Sequence, residues 1–124
     1  MIESNLAESR NYDWIGIMKR NDYETVLFYL STDDVEINIA RVGRRVAEGG
    51  HNIPEAIIRT RYSQSHSYLK TKLAVFKEAY LIDNTTDVFK VDAKLESGKI
   101  IYKSSICCNW VKEVLSITEK LQGK

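Results

Sequence analysis

One apolar run limits the possible folds of this chain more than any other feature of its sequence. Residues 26–30 read Val-Leu-Phe-Tyr-Leu, and Ser-Thr-Asp-Asp follows them at once. A strand with apolar residues on both faces is typical of a parallel sheet that helices cover on both sides. Asp33 and Asp34 are preferred N-cap residues, so a helix is expected directly after the strand. The run therefore predicts an α/β fold.

A pair of helices is predicted between this strand and the next one. The first has an apolar stripe at helical spacing, formed by Val35, Ile39, Val42 and Val46. Gly49 and Gly50 are expected to end it, because glycine is common just past a helix C-terminus. Pro54 suits a helix start, and the second helix is predicted over residues 55–78. Together the two helices span about residues 34–78.

The remaining segments predict a small sheet. Residues 80–82 form a short apolar run, which predicts a second strand followed by a polar loop. Residues 88–92 and 100–102 flank Gly98, a pattern that predicts a β-hairpin, and an amphipathic helix closes the chain. The strand–helix–strand order predicts parallel pairing. Only two strands are apolar enough for the centre of such a sheet, which is few for the helices that would cover it.

Composition removes several classes of function. The 124 residues suit one domain over residues 1–124, and 18 basic against 17 acidic residues give a net charge of +1. A near-neutral chain lacks the broad positive surface that nucleic-acid binding needs. No apolar run approaches the roughly 20 residues that cross a bilayer. The two cysteines are adjacent, so neither a disulfide framework nor a zinc site is expected. We predict a cytoplasmic domain without membrane, nucleic-acid or metal partners.

Arginine is concentrated in one segment of the chain. Five of the seven arginines lie between positions 41 and 61, namely Arg41, Arg44, Arg45, Arg59 and Arg61. Two glutamates are the only acids there, which leaves the segment at +3, and it contains no lysine. Arginine rather than lysine favours planar, bidentate contact with phosphate or carboxylate. A solvated helix face is the alternative interpretation, and the composition of the segment does not decide between them.

The same segment resembles the zeta toxin family of P-loop kinases, which includes UDP-N-acetylglucosamine kinases. The resemblance is carried by Arg41-Val42-x-x-Arg45-Val46-x-x-Gly49-Gly50-His51-x-Ile53-Pro54 and by Ile58-x-x-Arg61-Tyr62-x-x-Ser65. Residues 80–85 look like the family's later strand and its Asp-Asn-Ser/Thr loop. Residues 3–6 look like the end of its Glu-Thr-Thr-Leu segment, although Asn5 stands where the family has threonine.

The resemblance implies a role for each matching residue. In such kinases the paired helices form a lid over the nucleotide, and their arginines neutralise the transferred phosphoryl group. Three arginines are thereby assigned to catalysis: Arg45, Arg59 and Arg61. Three residues are assigned to nucleotide binding and two to the sugar substrate: Arg41, Asp83 and Asn84, and Glu3 and Asn5. The implied fold is the C-terminal half of a P-loop kinase-like parallel sheet with flanking helices, an arginine-bearing helical lid, and a C-terminal hairpin and helix.

The phosphate-binding loop of these kinases has no counterpart in the chain. The motif Gly-x-x-x-x-Gly-Lys-Ser/Thr is absent, and the Gly-Lys pairs at residues 98–99 and 123–124 lack its other members. We therefore expect a truncated or split kinase segment that is inactive alone. ATP, Mg²⁺ and a UDP-sugar or similar substrate are expected only if an N-terminal half is supplied.

The expected partners follow from the same missing half. A sheet without its central strands exposes apolar surface, which predicts self-association or binding to the missing half. The alternative hypothesis is a non-enzymatic interaction module that binds a toxin- or antitoxin-type protein through an exposed sheet edge.

Overall fold

The computed structural model describes residues 6–122, which fold into four helices and four strands. The helices are α1 (Ser9–Arg20), α2 (Val35–Ala47), α3 (Glu55–Lys72) and α4 (Asn109–Gln122). The strands are β1 (Val26–Ser31), β2 (Glu78–Asp83), β3 (Lys90–Glu96) and β4 (Lys99–Lys103). The α/β class is confirmed. None of the helices in this part of the chain is both long and apolar enough to cross a membrane.

The four strands form one mixed sheet in the order β1-β2-β3-β4. The pairing of β1 with β2 is parallel, as the strand–helix–strand order predicts, and Phe28 lies opposite Tyr80. The pairings of β2 with β3 and of β3 with β4 are antiparallel. The prediction of a parallel sheet is therefore correct only for the first pair, because the hairpin joins the same sheet.

One face of the sheet carries the hydrophobic core. Leu81, Leu95 and Ala93 on this face are 0% exposed. They belong to one cluster with side chains of α1, α3 and α4, including Leu69 and Val111. Burial of a leucine of this kind contributes about 1.5–3 kcal/mol to folding. Three of the four helices thus lie on the same side of the sheet.

The opposite face of β1 is open. Val26 and Leu30 are each 46% exposed and Phe28 is 63% exposed. The expectation that helices cover both faces of β1 is therefore wrong for the described residues, and β1 is an edge strand instead of a central one. An apolar run in the sequence indicates which side chains favour burial. It does not indicate whether other elements of the described chain cover both faces of the strand.

The turn between α2 and α3 depends on its two glycines. The Asp34 side chain begins α2 by accepting a hydrogen bond from the backbone N–H of Glu36 at 2.9 Å, as the sequence predicts. At the other end Gly49 has φ +96°, and the N–H of Gly50 donates to the carbonyl of Arg45 at 2.6 Å. A Cβ on Gly50 would lie 2.8 Å from that oxygen, so only glycine fits without movement.

Helix α3 begins where Pro54 predicts but ends earlier than expected. It stops at Lys72, and a short 3-10 turn over Leu73–Val75 follows. The predicted end at Glu78 is wrong, because Glu78 is the first residue of β2. The N–H of Lys77 donates to the carbonyl of Thr25 at 2.9 Å, so pairing with β1 takes the place of helical hydrogen bonds here.

The predicted hairpin is present with a two-residue turn. Ser97 and Gly98 have φ values of +49° and +85°, as a type I′ turn between β3 and β4 requires. A Cβ on Gly98 would lie 2.8 Å from the Cβ of Ala74, so the hairpin turn packs closely against the short 3-10 turn that follows α3. Gly98 thus belongs to the hairpin turn, and Lys99 is the first residue of β4.

Candidate functional site

A cleft of about 440 Å³ runs along β1 beneath the α2–α3 pair. One wall is formed by residues 27–31 of β1 and by Thr32, which follows the strand; α2 and α3 form the other wall. The cleft includes the carboxyl end of a parallel strand, which is where ligands usually bind in open α/β sheets. Its volume lies within the range of small-molecule sites.

Three of the predicted arginines line this cleft: Arg41, Arg45 and Arg61. Neither Arg45 nor Arg61 forms an ion pair with a carboxylate of the described residues. Two helices thus bring unneutralised guanidinium groups to one concave surface. The turn that contains Gly49 and Gly50 joins these helices, and Arg61 of α3 lines the same cleft as Arg41 and Arg45 of α2.

Arg41 is held by the loop after β2. Its Nη2 donates to the carbonyl of Thr86 at 3.3 Å. With its amide nitrogen turned to the same carbonyl at 3.0 Å, Asn84 accepts a hydrogen bond from Nη1 of Arg41 at 3.1 Å. Asn84 also lines the cleft. The loop to which the family resemblance assigns nucleotide binding therefore contacts α2 through Arg41.

Arg59 is engaged elsewhere. Its guanidinium forms ion pairs with Glu36 at 2.5 Å and Glu55 at 2.7 Å, and it does not line the cleft. The hydrogen bonds that Arg59 donates to the carboxylates of Glu55 and Glu36 raise the pKa of its guanidinium. The structure therefore does not bring Arg59 together with Arg45 and Arg61. The sequence contains the reason, because Glu55 precedes Arg59 by four residues and faces it on the helix.

Asp83 has structural partners. Its carboxylate accepts hydrogen bonds from the indole Nε1 of Trp110 at 2.9 Å and from Oγ1 of Thr85 at 2.6 Å. Burial opposes ionisation, but hydrogen bonds from Thr85, Trp110 and Cys108 outweigh it and lower the pKa of Asp83. Asp83 thus joins β2 to α4 and does not line the cleft. Glu3 and Asn5 lie outside the described residues.

A layer of hydrogen bonds forms the inner wall of the cleft. The Oγ of Ser31 and Nε2 of His66 are 2.6 Å apart, and the hydroxyls of Tyr29 and Ser65 are also 2.6 Å apart. The hydroxyl of Tyr62 donates to the carbonyl of Thr32 at 2.6 Å. Side chains of α3 are thus hydrogen-bonded to two residues of β1 and to the residue that follows it, and these bonds hold α3 against the strand.

His66 is the least expected member of this wall. It is 8% exposed, and its ring stacks on Trp110 at a centroid distance of 5.6 Å. Burial lowers the pKa of His66, so the ring is neutral at physiological pH. In α3, His66 lies beside Ser65 and three residues before Leu69, and all three are buried.

Metal and thiol chemistry are poorly supported. No group of three or more potential metal ligands occurs within residues 6–122. Cys107 and Cys108 are free thiols. Burial and the neighbouring Asp83 raise the pKa of Cys108 to about 12, and burial also raises that of Cys107. Both thiols are therefore protonated at neutral pH and weak nucleophiles.

Comparison with known proteins gives one relative and no family. No family model matches the chain, and no solved structure matches it. A Haemophilus influenzae protein described as uncharacterized is 38% identical over 61 residues. The matched segment covers 49% of this chain and 44% of that relative's length. The chain is therefore similar to less than half of a protein whose description gives no activity.

Proposed function

We propose that this chain is the lid-bearing segment of a split or truncated kinase that resembles the zeta toxin family. In this proposal Arg45 and Arg61 bind the phosphates of a nucleotide, and Arg41 and Asn84 support the same site. An N-terminal half would supply the phosphate-binding loop, the Mg²⁺ site and the base that activates a UDP-sugar or similar substrate. The segment alone would bind phosphate weakly and transfer none.

The observation that carries the proposal is the pair of guanidinium groups in the cleft, those of Arg45 and Arg61, which form no ion pair with any carboxylate of residues 6–122. An exposed guanidinium group can readily pair with a nearby carboxylate. Arginines that line a concave site and pair with no carboxylate of the described residues are therefore suited to bind the anionic group of a ligand. Arg59 shows the contrast, because two glutamates already neutralise it. A solvated helix face would not require arginines from two helices to converge on one cleft.

Catalysis by the isolated segment is not expected. Phosphoryl transfer depends on positioning the phosphates and neutralising charge with Mg²⁺ and a loop of backbone N–H groups. The sequence contains no such loop motif. The edge position of β1 supports the idea that further strands belong beside it, since an exposed apolar edge strand is a liability for a lone domain.

Calorimetric titration with ATP and Mg²⁺ tests the proposal. We expect weak binding, with a dissociation constant above about 0.1 mM, and no ADP release. The double variant Arg45→Ala, Arg61→Ala should lose this binding and keep the fold. Arg44→Ala is the matched control, because Arg44 lies on the same helix and does not line the cleft. An equal loss of ATP affinity in the Arg44→Ala control, or unchanged ATP binding in the double variant, would contradict a phosphate site at Arg45 and Arg61.

A second candidate function is a non-enzymatic interaction module, for example one that binds an antitoxin-like protein. The open face of β1 favours it, because Phe28 at 63% exposure stacks on Tyr80 with ring centroids 5.1 Å apart and forms an apolar surface. Self-association through this face is the other way to cover it. Sedimentation over a range of concentrations distinguishes the two, since a module awaiting a partner remains monomeric.

A further inference from the structure

The outer edge of β1 carries backbone groups that pair with no strand of the described residues. The carbonyls of Thr25 and Ser31 accept hydrogen bonds from Lys77 and Asn84 beside β2, at 2.9 and 2.8 Å. Odd-numbered residues therefore direct their backbone N–H and C=O groups to β2. Because this direction alternates along a strand, Val26, Phe28 and Leu30 direct theirs away from the sheet. No other strand within residues 6–122 pairs with this edge.

The edge ends at a defined point. The carbonyl of Thr32 already accepts a hydrogen bond from the hydroxyl of Tyr62 at 2.6 Å, and α2 begins at Val35. The usable edge is thus the strand itself, Val26–Ser31, which is six residues long. At about 3.3 Å per residue it accommodates one extended segment of about 20 Å.

The two sides of this edge differ in chemistry. On the open face, Val26, Phe28 and Leu30 present an apolar row. On the helix side, the cleft runs along the same strand and contains Arg45 and Arg61, which pair with no carboxylate in the described part of the chain. A strand added here would place alternate side chains on the apolar face and in the arginine cleft, because side chains alternate between the faces of a sheet.

We propose that the edge of β1 binds an extended segment of a partner protein in which apolar residues alternate with aspartate or glutamate. The segment becomes a fifth strand of the sheet. Its backbone pairs with Val26, Phe28 and Leu30, its apolar side chains cover the open face, and its carboxylates enter the cleft beside Arg45 and Arg61. The inference rests on the anion site of the proposed function and names a protein ligand for it.

Charge selects this occupant over a second copy of the chain. Two β1 edges paired antiparallel about a two-fold axis would carry both helix layers on the same side of the joined sheet. The unneutralised arginines of both copies would then face one another across the junction, and like charges placed together disfavour such pairing. An acidic strand meets the same surface with opposite charge.

The test uses a fluorescein-labelled seven-residue peptide that alternates glutamate and valine. Fluorescence anisotropy with the full chain should give a dissociation constant below about 0.1 mM at low salt, weakening as salt is raised. The double variant Arg45→Ala, Arg61→Ala should weaken binding at least about tenfold, while Arg44→Ala changes it little. A peptide N-methylated at the amides that face the edge should not bind, because strand addition depends on main-chain hydrogen bonds.

Amide hydrogen exchange locates the bound strand. The N–H groups of Phe28 and Leu30 should exchange quickly in the free chain and slowly with peptide, whereas Leu27 and Tyr29 should be protected in both. Equal binding of the N-methylated peptide, or no protection at Phe28 and Leu30, overturns strand addition. If these amides become protected when the protein concentration is raised without peptide, a second copy of the chain occupies the edge. That result also overturns the proposal of an acidic partner strand. If ATP binds to the chain but the peptide does not, only this inference is overturned. If neither ATP nor the peptide binds, the anion site of the proposed function is overturned as well.

Discussion

Helices α2 and α4 are both amphipathic, yet they lie in very different surroundings. Four side chains of α4 are at most 3% exposed in the core: Trp110, Val111, Val114 and Leu115. Helix α2 has no buried residue and packs mainly against α3. An apolar stripe therefore shows which face of a helix turns inward, but not how deeply it is buried. The shallow position of α2 leaves its arginines free to line the cleft.

The largest expected difference between the helices concerns stability. Leu115→Ala should lower the free energy of unfolding by about 2–5 kcal/mol, because it opens a cavity in the core. Val42→Ala should lower it by about 1 kcal/mol or less, since Val42 is only partly buried. Urea denaturation measures both values. Similar losses at the two positions would show that α2 is as much a part of the core as α4.

The glycine turn after α2 gives the next largest effect. Gly50→Ala should cost about 1–3 kcal/mol, because the new Cβ meets the carbonyl of Arg45 at 2.8 Å. It should also weaken phosphate binding by moving Arg45. Gly43→Ala is the control, because a Cβ there has nothing within 4 Å and alanine favours the helix by about 0.5–1 kcal/mol. Denaturation and ATP titration of both variants check the prediction, and a stable Gly50→Ala chain with normal binding would contradict it.

The anchoring of α3 to β1 should depend on pH through His66. Its pKa is lowered in the folded chain by burial, so the unfolded chain binds the proton first as the pH falls. The contribution of neutral His66 to the free energy of unfolding is therefore complete above the ordinary histidine pKa of about 6.5. It is lost as the pH falls from there through the lower pKa that His66 has in the folded chain. His66→Gln can keep a hydrogen bond to Ser31 without titrating. Urea midpoints at pH 7.5 and 5.5 should therefore differ less in this variant than in the parent chain; equal differences would remove His66 as the cause.

The smallest expected effect belongs to Arg59. Arg59→Ala should leave phosphate affinity unchanged, because Arg59 is paired with Glu36 and Glu55 outside the cleft. Its effect on stability should be small and should disappear at high salt, as for other exposed ion pairs. ATP titration at low and high salt measures both. A loss of affinity comparable with that of the Arg45 and Arg61 variant would return Arg59 to the site.

Local features of the fold were predictable from the sequence. The start of α2 at Asp34, its end at the two glycines and the start of α3 after Pro54 all depend on residues close in sequence. The end of α3 was not predictable in this way, because pairing of Lys77 with Thr25 decides it across some fifty positions. The same holds for β1, whose place at the edge depends on where every other strand lies.

The candidate site divides along the same line. The family resemblance assigned Arg45 and Arg61 to one site, and both line the cleft. The resemblance also assigned Arg59 to this site, but Arg59 is paired elsewhere. Its partner Glu55, four residues earlier on the same helix, is visible in the sequence, whereas its partner Glu36 comes from the other helix and is not. The bond between Ser31 and His66 joins residues thirty-five positions apart, and no periodicity in the sequence marks it.

The sequence by itself determined the α/β class, the arginine-rich helix pair, the glycine turn and the absence of a phosphate-loop motif, because each depends on residue type and short-range spacing. Only the tertiary structure decided which arginines face the cleft, that His66 is buried, and that β1 lies at the edge with one apolar face open. Those outcomes depend on which residues, distant in sequence, come close enough to form a hydrogen bond, an ion pair or an apolar contact. The residue types determine which contacts are chemically possible, and the packing of the chain determines which of them form.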